Sequence, residues 1–223
     1  MSTRFITRVT TVPESFTSKD CAIGFETSTN SIVVVPNADV KLTIAAQGGT
    51  QGTVAGLKVV EDGGLGCHRT KLILTNMPLT VRNTEQGGGV KIYDFPDGYL
   101  YFIGGIGDVT ITTTSVLADT LNASVACKWG VGTLTQSTTS LTTTEQDLLT
   151  ATAFTSSATI SVANTATTCA MVTPAAFDGT TTAKDAFFNI SVDAAGDIDA
   201  DATVLVNGTI YLTWANMGDY ALT

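Results

Sequence analysis

Histidine occurs once in this chain of 223 residues, as His68, so no three-histidine zinc site can form. The four cysteines, Cys21, Cys67, Cys127 and Cys169, lie far apart and make no Cys-x-x-Cys pair. Cys67-His68 would bind zinc only if the fold gathered the remote cysteines beside it. Charged residues are scarce, 14% against about 25% in an average soluble chain. There is no basic stripe of the kind that phosphate contacts need, which argues against a nucleic-acid partner. No run approaches the ~18 apolar residues of a membrane helix, so no membrane partner is expected. The first residues lack an apolar stretch of signal-peptide type. The chain is therefore expected in a reducing cytosol, with all four cysteines as buried thiols.

Threonine, valine, alanine and glycine take the place of charge. Thr and Val favour strands because β-branched side chains pack well on a pleated surface. The 21 glycines serve turns, and long helix formers are few. This is the composition of an all-β protein, and the length suits one sandwich or barrel domain. The densest strand signal spans residues 71–114. It reads KLILTNMPLTVRN, a glycine-rich turn, VKIYDFPDGYLYFIGG and then DVTITTT. Pro96-Asp97-Gly98 reads as the turn of a hairpin over residues 90–103, because Pro presets φ and Gly accepts a positive one. Residues 99–103 are apolar on both parities, which predicts a strand covered on both faces.

Along the chain, residues 1–20 read as an extended arm or an edge strand. Strands are expected at 31–35, 40–45 and 56–60, with a loop at 47–52 and a turn at 61–64. A further strand begins at Val109, after the Gly104-Gly105-Ile106-Gly107 break. Another is expected over 121–131, ending near Trp129, followed by a threonine-rich loop with an edge strand over 132–144. Thr143-x-x-Gln146 resembles a capping box for one or two helical turns. Short strands are expected at 159–163 and 170–173, with a turn at 177–179. Residues 186–192 alternate cleanly, with Ala186, Phe188, Ile190 and Val192 on one face. An acidic loop follows over 193–201. Asn207-Gly208 is a hairpin signal in isolation. Folding there would scatter the apolar residues, whereas one straight strand puts Val204, Val206, Ile210, Leu212 and Trp214 on a single face. The straight strand is preferred, with Gly208 at a bulge or close approach and Trp214 in the core. The expected fold is an antiparallel β-sandwich over residues 21–223 behind an arm at 1–20.

Charge is split along the chain. Up to Lys91 there are nine basic and seven acidic residues, net +2; beyond it there are two and thirteen, net −11. A mildly basic base would dock while the acidic remainder resists self-association. Arg4 and Arg8, in the arm, are the interface candidates. Asp197, Asp199 and Asp201 alternate like the start of a calcium loop, but Ala202 and Gly208 stand where an EF-hand needs Gly and Glu. They make a weak calcium candidate, and no cofactor or other metal is expected. His68 is expected as a hydrogen-bonding turn residue. No catalytic constellation stands out, so the chain is not expected to be an enzyme.

The segment from Glu61 to His68, then TKLILTNMPLTV, VKIYDFPDGYLYFIGGIGDVTIT, FDGTTTAKDAFFNISV and VNGTIYLTWANMGDY together resemble a group of tailed-bacteriophage virion structural proteins. These are small β-sandwich proteins that accompany the major capsid protein, many of them decoration or cement proteins. The resemblance runs over about residues 61–220 and lies in pattern, not in a diagnostic motif. It implies a jelly-roll-like sandwich, symmetric multimers with trimers favoured, and no catalysis. It also implies the major capsid protein and further copies of this chain as partners, on the capsid surface of a virion made in the host cytoplasm. The rival reading is an adhesin or carbohydrate-binding sandwich.

Overall fold

The computed structural model describes residues 22–26, 31–37, 40–43, 48–64, 67–113, 126–155, 175–192 and 200–217. Strands β1 (Ala22–Glu26), β2 (Ser31–Asn37) and β3 (Val40–Thr43) form a small antiparallel sheet in the order β1-β2-β3. The remaining strands are β4 (Thr50–Gln51), β5 (Leu57–Gly64), β6 (Cys67–Val81), β7 (Gly87–Asp94), β8 (Gly98–Thr113), β9 (Ala126–Gly132), β10 (Leu149–Thr155), β11 (Ala175–Gly179), β12 (Asp185–Val192) and β13 (Ala202–Asn216). Among the described residues one 3-10 turn, Thr143–Glu145, interrupts them.

Strands β6 to β13 make one long rolled hairpin. β6 pairs with β13, β7 with β12, β8 with β11 and β9 with β10, all antiparallel. Rolling sends successive pairs to alternate sheets, in the orders β11-β8-β13-β6-β5 and β10-β9-β12-β7-β4. This is the pairing of an eight-stranded jelly roll, extended at one edge of each sheet by β5 and β4. The two sheets are named below for their central strands, β13 and β12.

The core lies between the sheets. Leu72, Leu79, Val204, Val206, Ile210, Leu212 and Trp214 face it from the β13 sheet, and Ile92, Tyr93, Trp129, Phe188, Ile190 and Val192 from the β12 sheet. The layers interlock through their largest rings. Phe95 meets Trp214 edge-on with centroids 5.3 Å apart, and within the β12 sheet Trp129 stacks on Phe188 at 5.5 Å. The Trp129 indole reaches across to the backbone of β8. A Cβ added at Gly107 would sit 2.9 Å from its ring. Glycine at this position makes room for a tryptophan from the opposite layer.

The straight β13 holds, with Val204, Val206, Ile210, Leu212 and Trp214 all on the buried face. Gly208 has φ 135, and a Cβ there would meet the Asp108 carbonyl at 2.1 Å. The extra residue of the bulge lies on the partner strand. Thr75 and Asn76 oppose Asn207 alone, Asn76 is left-handed (φ 49), and its N–H donates to Asn207 Oδ1 at 2.8 Å. The 186–192 strand also holds, as β12.

Several expectations are corrected. Residues 90–103 are no hairpin: β7 and β8 lie in different sheets, so the Pro96-Asp97-Gly98 corner carries the chain across the core. The strand through 99–103 is covered on one face only. Leu100 and Phe102 are buried, while Tyr99 and Tyr101 are 39% and 44% exposed. The glycine break before Val109 is instead part of β8. An extra residue at Ile103 shifts the register, so that Phe102 and Gly105 both face inward. Residues 61–64 and 177–179 are strand rather than turn, because each is paired to the long neighbour β6 or β8. The strands expected at 159–163 and 170–173 lie outside the described residues.

Two substitutions test this core. Trp214→Ala removes a fully buried side chain and should lower unfolding stability in urea by about 3–5 kcal/mol. Gly107→Ala overpacks the Trp129 contact and should cost about 1–3 kcal/mol in the same measurement.

Candidate functional site

At one end of the sandwich a hydrogen-bonded chain ties the two sheets together. Trp214 Nε1, on β13, donates to Thr70 Oγ1 on β6 at 2.8 Å. Thr70 Oγ1 donates to the Glu61 carboxylate on β5 at 3.1 Å. The Tyr93 hydroxyl, reaching from β7 in the opposite layer, donates to the same carboxylate and accepts from Gly49 N–H at 2.7 Å. Burial, with the bond to Glu61, pushes the Tyr93 phenol well above its ordinary value, so it remains a donor. His68 is not in a turn, as β6 begins at Cys67. Its ring stacks on Trp214 at 4.2 Å with Nδ1 4.0 Å from Glu61, while Nε2 is buried without a partner. The expected hydrogen bonding of this residue is replaced by stacking. The arrangement holds the layers in register.

The outer face of the β12 sheet is covered by the chain itself. Residues 133–148 fold over it and are pinned from below by Asn189, which is fully buried. Asn189 Oδ1 accepts from Gln136 N–H at 2.9 Å, and its Nδ2 donates to the carbonyls of Leu134 and Glu145 at 2.9 and 2.8 Å. Glu145, also buried, accepts from Ser137 N–H and Thr142 N–H at 2.9 and 2.7 Å. Asp147 accepts from Thr133 N–H and Oγ1, both at 2.7 Å, and burial pushes its carboxyl above the usual range. The capping box sits one residue earlier than expected, on Thr142 and Glu145, and serves a single 3-10 turn. The cap presents Leu134 and a series of serines and threonines to solvent. The sequence pointed to this cap only through the capping-box pattern. The register that puts Asn189 beneath the loop is a tertiary fact.

The outer face of the β13 sheet is left uncovered by the described residues. Val60, Tyr99, Tyr101 and Ile106 are exposed on it, and Lys71 Nζ lies 5.5 Å from the centre of the Tyr211 ring. Cys67 is also exposed there as a free thiol, which corrects the expectation that every cysteine is buried; Cys127 is buried.

Of the residues singled out in the sequence, Arg4, Arg8, Asp197 and Asp199 lie outside the described residues, as do Cys21 and Cys169. Asp201 is exposed, and its Oδ1 accepts from Asn83 N–H at 2.9 Å. Among the described residues no group of three His, Cys, Asp or Glu side chains is placed to hold a metal ion. No described helix is long and apolar enough to cross a membrane. Compared with known proteins, the chain matches no family model, no curated protein and no solved structure.

The single histidine allows a clean pH test. Burial lowers the His68 pKa against the opposing pull of Glu61. The folded state thus binds fewer protons than the unfolded chain below about pH 6.5. The neutral imidazole contributes stability that is full above that pH and is lost as pH falls toward the lowered folded value. Urea unfolding between pH 7.5 and 5 should show this decline, and His68→Phe should flatten it.

Proposed function

We propose that this protein is a non-enzymatic structural protein of a phage virion that decorates or cements the capsid shell through symmetric multimer contacts. The observation that carries the reading is a jelly roll with one outer face closed by its own loop and the other left open and rich in tyrosine. Tyrosine is enriched in the buried parts of protein interfaces, and charge is depleted there. The jelly roll is used by viral capsid proteins, and also by lectins and cupins, so the fold alone does not choose among them. The +2/−11 charge split and the low charge content add support for a chain that sits among neighbours. On this reading Arg4 and Arg8 face the shell and the acidic portion faces outward. Many modest contacts, repeated by symmetry, then sum to firm attachment.

A second reading, an adhesin or carbohydrate-binding module, is favoured by Tyr99 and Tyr101, whose exposed positions on the outer face would suit stacking against a sugar ring.

Co-sedimentation with assembled shells that lack the protein separates the two. The full chain should pellet with the shells, and a form without residues 1–19 should remain folded but bind several-fold less. Equal binding by both forms removes the docking role of the arm. Failure of both to bind overturns the decoration reading and favours the adhesin.

A further inference from the structure

The two outer faces of the sandwich are unlike. Asn189, which points outward from the β12 sheet, is fully buried beneath residues 133–148. The corresponding face of the β13 sheet keeps Val60, Tyr99, Tyr101 and Ile106 at 40%, 39%, 44% and 44% exposure. We propose that a second copy of this chain covers this face, with the two β13 sheets packed against each other about a twofold axis that runs along the strands between β6 and β13. The proposal specifies the surface for the multimer half of the reading above, and it replaces the trimer implied by the resemblance with a pair.

The strand register carries the argument. Residues directly opposite one another on neighbouring strands share a face. One outward row across the sheet is Lys58 on β5, Ile73 on β6, Thr209 on β13 and Asp108 on β8. The next row is Val60, Lys71, Tyr211 and Ile106. A twofold axis between β6 and β13 reverses each row onto itself. Lys58 then faces Asp108 of the second copy, and Val60 faces Ile106. Lys71 faces Tyr211, repeating between copies the cation–ring contact that already exists within one. In the third row Asp62 and Arg69 form an ion pair within the chain and face Gly104 and Thr213 of the second copy. No like charges meet in any of the three rows. An isologous interface needs this self-complementarity, and two sheets packed face to face supply it. Aligned sheets cross at about 30°, so the match is closest where the rows cross the axis.

The area suffices. With strands about 4.8 Å apart and a rise of about 3.3 Å per residue, β6 over β13 and the shorter β5 over β8 overlap across roughly 700 Å², within the usual range. A standard interface buries about 800 Å² per partner.

Sedimentation velocity of the full chain over a wide concentration range tests the pairing. The wild type should form dimers. Ile106→Arg, at an exposed position, should leave the thermal midpoint unchanged and weaken association by about tenfold or more, as loss of a central interface contact does. Lys58→Asp and Asp108→Lys should each weaken the dimer, and the double swap K58D/D108K should restore it. This rescue gives a second readout should the arginine variant fold poorly. A wild type that stays monomeric, or an oligomer indifferent to both Ile106→Arg and the charge swaps, overturns the pairing. Shell co-sedimentation keeps the two readings apart. A monomeric I106R that still pellets with shells supports the pairing and leaves shell binding standing. A monomeric wild type that loses shell binding on Ile106→Arg assigns this face to the shell protein and overturns the pairing.

Discussion

The ladder between β6 and β13 is the constraint on which the rest of this structure depends. It runs from the Ala202–Val81 pair to the Ala215–Cys67 pair and joins the first and last strands of the rolled hairpin in the middle of one sheet. It seats β13 between β6 and β8, and through β6 it attaches the β5–β6 hairpin to the rest of the sheet. Its closure also brings Trp214 to Thr70 and His68, and so completes the hydrogen-bonded chain through Glu61 to Tyr93 in the opposite sheet. These contacts join segments far apart in sequence. Loop closure must therefore be met before the contacts return any stability, as in other folds of high contact order.

The edges and faces of the sandwich are handled differently from one another. At the β5 edge the Gln51 carboxamide donates to Leu57 O at 2.8 Å and accepts from Val59 N–H at 3.2 Å. It takes the backbone groups that an incoming strand would use, and so blunts that edge against strand addition. The outer face of the β12 sheet is sealed by a loop whose buried carboxylate and carboxamide are held by backbone donors and acceptors. Among the described residues neither defence acts on the outer face of the β13 sheet, where tyrosines and isoleucine stand at the surface. A low charge content fits this division. Much of the chain's surface is either covered by its own loop or neutral enough for a neighbour to cover.

Within the core, tryptophan and glycine are matched across the layers. Trp129 fills the space that Gly107 leaves, and the Leu149 side chain approaches Gly105 in the same way. The Trp129 N–H is buried without a partner, a cost offset by its stacking on Phe188 and its complete burial. The glycines of β8 therefore serve packing between layers as much as turning of the chain. This explains why the Gly104–Gly107 stretch continues a strand instead of ending one.

What the chain determined by itself is its local alternation. Period-2 patterning marked β12 and the straight β13, including the inward face from Val204 to Trp214, because side chains on a strand alternate whatever the strand packs against. Composition named an all-β sandwich for the same reason. Which strands pair was decided by tertiary structure. The Pro96–Gly98 corner has the residues of a hairpin turn, yet it joins two sheets, since local turn chemistry is the same whether the chain folds back beside itself or crosses a core. Tyr99 and Tyr101 are apolar enough to be buried, and their exposure follows from the place of β8 in a sheet whose outer face none of the described residues covers. His68 meets Trp214, and Glu61 meets Tyr93, only through the register of strands that are remote in sequence. No local pattern encodes such meetings, because they depend on the closure of the whole roll.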